Sequence, residues 1–347
     1  MKAAYLHKPK DIRLDDAPVE SVGPLDLLLD VTAVGICGSD LHTYLSGQIG
    51  DTVATASLIL GHEAAGRIVA VGQGLTGDRW HVGQSVAIDP AIPCGECERC
   101  EKGDPNLCTN LKFIGLWPQH GALREQMVHP ARSCIALPDG ITPVSSALLE
   151  PLGVALHAIN LSKIRLGDDV LVVGCGAIGL LLIRLARLAG ARHIYASDRL
   201  AWRLDLAANF GADVLIDYSQ QDVVAEVMRR TNKRGVDVAI ESAWASETVN
   251  QCVDAARNGG RVIIVGIPAE DFITLRASAS RRKGLTIKLS RRMKHSYGPS
   301  LDLAMANKVN LEALATHRFS LDETAAAFDT ASTYADGVIR AMVLPTA

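Results

Sequence analysis

From Asp169 onward the chain alternates short apolar runs with amphipathic stretches, and that rhythm constrains the fold more than any other feature. Residues 170–173, 193–196, 214–216, 236–240 and 261–265 read as strands. Residues 177–189, 201–209, 223–230 and 245–256 between them read as helices. Parallel strands cannot be joined by tight turns and need helical crossovers, so this spacing predicts a doubly wound α/β domain around a parallel sheet.

The first 150 residues have a different texture. Apolar runs at 27–34, 65–71 and 85–88 are separated by Gly, Pro and Asp turns, as in a β-rich domain. Residues 138–153 look like a helix-bearing connector. After about residue 290 the alternation stops. A helical stretch at 301–307 is followed by Ser320 and, three residues on, Glu323, the signature of a capping box. A strand at 338–344 closes the chain. The order predicts a β-rich domain over 1–152, interrupted by a doubly wound domain over 153–289 and completed by 290–347. A length of 347 residues suits two cores better than one.

Composition removes several function classes. With a net charge of -3 and 4% aromatic residues there is no electrostatic footprint or stacking platform for nucleic acid, nor attraction to an anionic membrane. The start, MKAAYLHKPKDIRL, has no apolar core of a secretory signal, and the longest apolar run, 180–188, is broken by Arg184 and Arg187. These features point to the cytoplasm.

Four of the eight cysteines crowd into CGECERCEKGDPNLC: Cys94, Cys97, Cys100 and Cys108. Two-residue gaps let a tight turn aim neighbouring thiolates at one point. Four soft ligands make a closed tetrahedral zinc site, and a closed site is structural rather than catalytic. Disulfides, free thiols and an iron–sulfur cluster are the competing readings of the same spacing.

The sequence VLVVGCGAIG runs strand into turn into helix, with Gly174, Gly176 and Gly179 in the pattern G-x-G-x-x-G. The glycines permit the turn, let backbone approach a pyrophosphate, and allow close helix–strand packing. The helix N-terminus presents its positive end to the phosphates. Asp198, about 20 residues on, is placed to take the adenosine ribose hydroxyls and to repel a 2′-phosphate, which favours NAD over NADP. Arg199 directly after it works against that preference.

A second metal candidate is spread over Cys37 in CGSDLH and His62 and Glu63 in GHEAAGRIVAVG. Singly, a cysteine is a small hydrophobe and a His-Glu pair is surface decoration. Together a thiolate, an imidazole and a carboxylate suit zinc. Glu150, in the connector, is a candidate fourth ligand or a holder of metal-bound water.

In this combination of motifs the chain resembles the zinc-dependent medium-chain alcohol dehydrogenases, and most of all their polyol branch, the sorbitol (L-iditol) dehydrogenases. The carriers are Cys37-Gly-Ser-Asp-x-His42, the Gly61–Gly72 stretch, the four cysteines, Glu150-Pro151 and the Gly174–Gly179 turn. The resemblance implies a GroES-like catalytic domain with an inserted Rossmann domain. It implies that Cys37, His62 and Glu63 hold a catalytic zinc. Glu150 stands where the simple alcohol enzymes have a cysteine. It further implies that Ile178, Asp198 and Arg203 contact NAD, that Val265, Gly266 and Ile267 lie near the nicotinamide, and that the chain forms a homotetramer. The apolar run 261–267 is a candidate sheet edge for that assembly.

The substrate side departs from the resemblance. Where related sorbitol dehydrogenases carry Phe-Arg-Tyr, this chain has Ser290-Arg291-Arg292. Arg291 carries over as a substrate contact, and Thr43, Leu116 and Trp117 are further pocket candidates. Ser39 is a candidate first member of a proton exit path, or else the cap of a helix beginning near Asp40. His42 could continue the path, and Asp40 reads as structural.

The function this predicts is reversible oxidation of a secondary hydroxyl of a polyol or sugar alcohol by NAD, with zinc activating the alcohol at a junction between domains. An L-threonine 3-dehydrogenase-like enzyme, with Arg291 or Arg292 anchoring a carboxylate, is an alternative, as is another secondary-alcohol dehydrogenase. A non-catalytic NAD-binding protein on the same scaffold should have lost zinc ligands or Asp198, and all are present.

Overall fold

The computed structural model describes residues 1–243, 245–268 and 272–346, Ser246 by its backbone only. The chain divides into two compact units, Met1–Glu150 with Tyr297–Ala347, and Pro151–Ser296.

The first unit is built on a seven-stranded sheet in which Cys134–Ala136, Ser85–Ile88, Glu63–Val71, Asp26–Gly35, Ala341–Leu344 and His317–Ser320 follow one another, with Gln126–Pro130 also paired to Asp26–Gly35. Most pairs are antiparallel. The strand Asp26–Gly35 alternates buried and half-buried positions, with Leu27, Leu29, Val31 and Ala33 fully buried. That is the period-2 pattern of a sheet with one face on the core.

The second unit is a six-stranded parallel sheet. In sheet order its strands are Val214–Asp217, His193–Asp198, Asp169–Val173, Val236–Glu241, Ala256–Ile264 and Thr286–Leu289. Numbered along the chain this is 3-2-1-4-5-6, the doubly wound order, whose ligands bind at the carboxyl ends of the strands where the order reverses. Asp169–Val173 and Val236–Glu241 are buried at every position, as a sheet covered on both faces requires.

Four details differ from the sequence reading. Residues 290–296 stay with the second unit, because Ser290 N–H donates to Ile264 O at 2.8 Å and Met293 is packed against Gly153. The run 261–267 is not a sheet edge. Its strand, Ala256–Ile264, is flanked on both sides, and the edges are Val214–Asp217 and Thr286–Leu289. Glu323 does accept from Ser320 N–H, at 2.9 Å, but the helix starts only at Thr324, so the pair closes a turn ahead of it rather than capping it. The terminal strand is Ala341–Leu344, shorter than 338–344, and Ala347 lies outside the described residues. Among the described residues no helix is long and apolar enough to cross a membrane.

Candidate active site

The first site lies in the first unit and is assembled from two neighbouring segments. Cys37 is the N-cap of the helix Gly38–Ser46, so the helix begins before Ser39 and Ser39 does not cap it. His62 directly precedes the strand Glu63–Val71. Antiparallel pairing sets Gly35 opposite Glu63 and draws the segments together. Position 35 has no room for a side chain, since a Cβ there would lie 2.4 Å from Glu63 Oε2. One ligand atom from each of Cys37, His62 and Glu63 lies within 4.8 Å of the others.

Asp40 organises this cluster. Fully buried, it accepts from Cys37 N–H at 2.9 Å and Gly61 N–H at 3.2 Å, and its Oδ1 is 3.2 Å from His62 Nδ1. With Nδ1 committed to Asp40, Nε2 is the nitrogen left for the cluster, and Ser39 Oγ lies 3.4 Å from it. A carboxylate behind the ligating imidazole is the usual orienting partner at zinc. Burial alone would push the His62 pKa down. Asp40 and Cys37 reverse this and hold it well above its ordinary value. The Phe113 ring packs against His62, with centroids 5.3 Å apart.

Glu63 supplies the test of whether a cation fits. Its carboxylate is fully buried, and neither oxygen has a hydrogen-bond partner. Arg340 Nη2 is 3.3 Å from Oε1, close enough to pair but outside hydrogen-bond geometry, while Arg340 Nη1 donates to Ile36 O at 2.6 Å. Burying a carboxylate without hydrogen bonds is costly. Burial opposes the charge on Arg340, and Glu63, Cys37, Glu150 and Asp40 more than offset it. Three buried carboxylates and a thiol thus act electrostatically on one guanidinium. A dication balances that excess, and the donor set suits zinc.

The other residues expected here divide. Glu150 is buried in the first turn of the helix Leu149–Ser162, but its carboxylate lies outside the three-ligand group, so direct ligation is not the arrangement seen. Thr43 is buried, and its hydroxyl donates to Ser39 O at 3.4 Å along the helix, which spends it locally. Leu116 and Trp117 are half-buried, and Arg291 is exposed in the second unit. Sequence reasoning missed Arg340 and Phe113. The only signal for Arg340 was an arginine inside the apolar run VIRAMVL.

Cys94, Cys97, Cys100 and Cys108 form a second group whose sulfurs all lie within 4.8 Å. All eight cysteines are free, which removes the disulfide reading. Sulfur–sulfur distances of 3.5 Å for Cys94–Cys108, 3.9 Å for Cys97–Cys108 and 4.0 Å for Cys94–Cys100 bracket the edge of about 3.8 Å that a tetrahedron with 2.3 Å zinc–sulfur bonds requires. Backbone N–H groups of Cys100 and Thr109 aimed at Cys97 lower its pKa to about 5, while desolvation of Cys100 beside the other thiols raises its pKa to about 12.

In the second unit the glycine turn has the expected form. Gly174 has φ +93°, and a Cβ on Gly179 would lie 1.8 Å from Gly174 O, so helix and turn touch through bare backbone. At Gly176, the N-cap of the helix Ala177–Leu188, a Cβ would meet nothing within 4 Å; the space in front of the helix is open. Ile178 is half-buried in its first turn.

Asp198 ends the second strand. Its carboxylate accepts from Cys175 N–H at 2.8 Å, Arg199 N–H at 2.8 Å and Leu200 N–H at 3.1 Å, and Arg203 Nη1 is 3.8 Å away. These bonds tie the ribose-binding candidate to the glycine turn. Val265 and Gly266 are held by Glu241, whose backbone carbonyl accepts from both N–H groups and whose side chain accepts from Gly266 and Ala243; Ile267 beyond them is exposed. Glu241 was not anticipated. An acid closing the apolar strand VDVAIE was its one trace.

Comparison with known proteins agrees with this geometry. Residues 23–139 match the family model described as alcohol dehydrogenase GroES-like domain, and residues 177–306 match zinc-binding dehydrogenase. The chain is 34% identical over 345 residues to a sorbitol dehydrogenase of Bacillus subtilis, covering 99% of this chain and 97% of that one. A putative zinc-binding dehydrogenase of Sinorhizobium meliloti bound to NADP superposes with a TM-score of 0.90 at 33% identity, covering 99% of both chains. A 2R,3R-butanediol dehydrogenase of Bacillus subtilis does so with a TM-score of 0.90 at 32% identity, again over 99% of both. With family models for both halves and a relative at this identity over nearly its whole length, the chain belongs to the zinc-dependent medium-chain alcohol dehydrogenase family, on its sorbitol dehydrogenase-like side.

Proposed function

We propose that the protein is a zinc-dependent dehydrogenase that oxidises a secondary hydroxyl of a polyol to a ketone with NAD as hydride acceptor. The observation that carries this is the Cys37–His62–Glu63 group, with His62 and Glu63 buried and the Glu63 carboxylate unsatisfied, in a chain that also carries a glycine-rich turn of the nucleotide-binding pattern. These three residues would hold the catalytic zinc, and Cys94, Cys97, Cys100 and Cys108 the structural one. When bound, the catalytic zinc supplies Lewis acidity, which makes a hydroxyl acidic enough to lose its proton near neutral pH. The carbinol gives up that proton to solvent and a hydride to the nicotinamide.

The protein's own groups prepare that step. Asp40 fixes the His62 ring and its tautomer. Arg340 holds Glu63 from behind and limits its negative charge. Ser39, beside His62 Nε2, is the first acceptor for the departing proton, since a hydroxyl both accepts and donates. Glu150 keeps a water or substrate hydroxyl rather than the metal itself. Gly174, Gly176 and Gly179 with the helix N-terminus receive the pyrophosphate, and Asp198 with Arg203 the adenosine ribose. Assembly as a homotetramer belongs to the same reading and rests on the resemblance alone, and a cytoplasmic location rests on the sequence features given above.

Cofactor choice is the sharpest test of Asp198. NAD is expected to exceed NADP at least tenfold in kcat/KM, because a buried carboxylate opposes a 2′-phosphate. Asp198→Asn keeps an acceptor for the backbone N–H groups, removes the charge, and should narrow that ratio. A second reading has one observation in its favour: exposed Arg199 directly after Asp198 is suited to a 2′-phosphate. Steady-state rates with sorbitol and each nucleotide decide between them. A preference for NADP in the unaltered protein would overturn the role given to Asp198.

A further inference from the structure

The strand Val236–Glu241 is buried at every position, yet it carries an acid near each end. Asp237 is matched by the guanidinium groups of Arg234 and Arg257. Glu241, 1% exposed, is matched by main chain: its Oε1 accepts from Ala243 N–H at 2.7 Å and its Oε2 from Gly266 N–H at 3.2 Å, with the Thr248 hydroxyl 2.8 Å from Oε1. A buried carboxylate is costly without such donors. These three come from different segments: the loop after the strand, the first turn of the helix Ser246–Ala255, and the residues that follow the strand Ala256–Ile264.

Strand register fixes where this acid stands. Parallel pairing sets Glu241 level with Val173 on one side and with Ile264 on the other. Val173 is the last residue before the glycine turn, and Ile264 the last before Val265 and Gly266. Glu241 thus lies between the two stretches, at the carboxyl ends of the strands where their order reverses and ligands of this architecture bind. Ser242 bonds toward the glycine turn. Its N–H donates to Val173 O at 2.9 Å, and its hydroxyl lies 3.0 Å from Val173 O and 3.1 Å from Gly174 O. A Cβ on Gly174 would lie 2.9 Å from Ala243 Cβ, so the residue that Glu241 bonds is packed on the turn as well.

Each half of a doubly wound sheet receives one mononucleotide of a dinucleotide. Asp198, assigned to the adenosine ribose, belongs to the half formed by Asp169–Val173, His193–Asp198 and Val214–Asp217. The nicotinamide mononucleotide then falls to the other half, whose first two strands end at Glu241 and Ile264. Neighbouring residues therefore serve opposite ends of the cofactor, Ser242 through the glycine turn and Glu241 through Gly266.

We propose that Glu241 is a positioning residue for the nicotinamide end of NAD: by holding Gly266 to Ala243 and Thr248, its carboxylate fixes the backbone against which the nicotinamide is placed for hydride transfer. This rests on the NAD-dependent dehydrogenase reading above and deepens it. Glu241 takes no part in bond changes and acts only through the backbone it holds. Such a role is worth much in rate, since a misplacement of about 1 Å costs about a hundredfold.

The test uses the full-length zinc-loaded protein and compares NAD with ADP-ribose, which keeps every part of NAD except the nicotinamide ring. Glu241→Gln preserves the shape but offers one oxygen where two accept, so its amide N–H group meets a backbone N–H at Ala243 or Gly266. Its Kd for NAD should rise about tenfold or more and kcat should fall about 10- to 100-fold, while Kd for ADP-ribose stays within about twofold. Glu241→Asp guards against a failure of the amide variant to fold. It keeps the charge and can still take Ala243 N–H, two residues on, but is one methylene short of Gly266, and should show the same selective loss of NAD. Ser242→Ala is the contrast and should weaken NAD and ADP-ribose by the same factor. Equal weakening of the two ligands in the Glu241 variants, or none of either, would overturn the proposal and leave the dehydrogenase reading intact. Selective loss of NAD in Ser242→Ala as well would overturn the assignment to Glu241. Failure of the unaltered protein to bind either ligand would overturn the NAD-dependent reading itself, and this proposal with it.

Discussion

Cys37→Ser is expected to reduce turnover by about three orders of magnitude or more while leaving NAD binding nearly unchanged. A metal acting as Lewis acid contributes several kcal/mol of transition-state stabilisation, and each 1.36 kcal/mol is tenfold in rate, so about 4 kcal/mol gives about a thousandfold. Serine is chosen because Cys37 is the N-cap of the helix Gly38–Ser46, a position serine fills well, so the helix should survive. A neutral hydroxyl is nonetheless a poor replacement for a thiolate at zinc. The residues assigned to NAD all lie in Pro151–Ser296, which does not contain Cys37. Quenching of protein fluorescence by NAD and a thermal melt, beside the rate assay, separate loss of chemistry from loss of fold. A variant that keeps more than about a tenth of the turnover would remove Cys37 from the reaction.

Cys100→Ser should act differently, on integrity before chemistry. Residues 94–108 bury almost nothing besides Asn106 and Cys108, and the four-residue helix Glu98–Glu101 has no buried residue. There is no hydrophobic core to hold this segment, so the metal serves as its core. Zinc contributes about 10–16 kcal/mol to the folding of small zinc-finger peptides. Only part of such a loss reaches the global transition, because a peripheral segment opens locally first. The expected results are loss of one zinc per chain, rapid proteolysis within 94–108, and a fall in Tm of about 5 °C or more. Turnover should decline less than in Cys37→Ser. A variant with full zinc content and unchanged protease resistance would mean that the cysteines do not share a metal.

Much of this molecule was legible in its sequence because the informative features are local. The glycine turn, the cysteine spacing and the alternation after Asp169 each occupy a short window in which chemistry and backbone geometry are coupled. The catalytic cluster was legible only as separate fragments, CGSDLH and GHE, which the pairing of Gly35 with Glu63 brings together. What escaped depends on contacts distant along the chain. Arg340 reaches Ile36 and Glu63 across some 300 positions, and no periodicity marks it. Asp40 read as structural because its two functions, holding the Cys37 backbone and orienting His62, appear only once Gly61 and His62 are folded over it. The run 261–267 read as an edge because an interior strand and an apolar edge strand look alike in one dimension. Only the presence of Thr286–Leu289 beside it decides.

The most direct measurement is a chelator titration in which zinc content and NAD-dependent polyol oxidation are followed on the same samples. The untreated protein should hold about two zinc ions per chain, one in each site. Activity should vanish with the loss of one zinc equivalent, while the thermal transition persists, and return when zinc is restored. Undiminished oxidation by a protein stripped of zinc would contradict the assignment of the reaction to Cys37, His62 and Glu63.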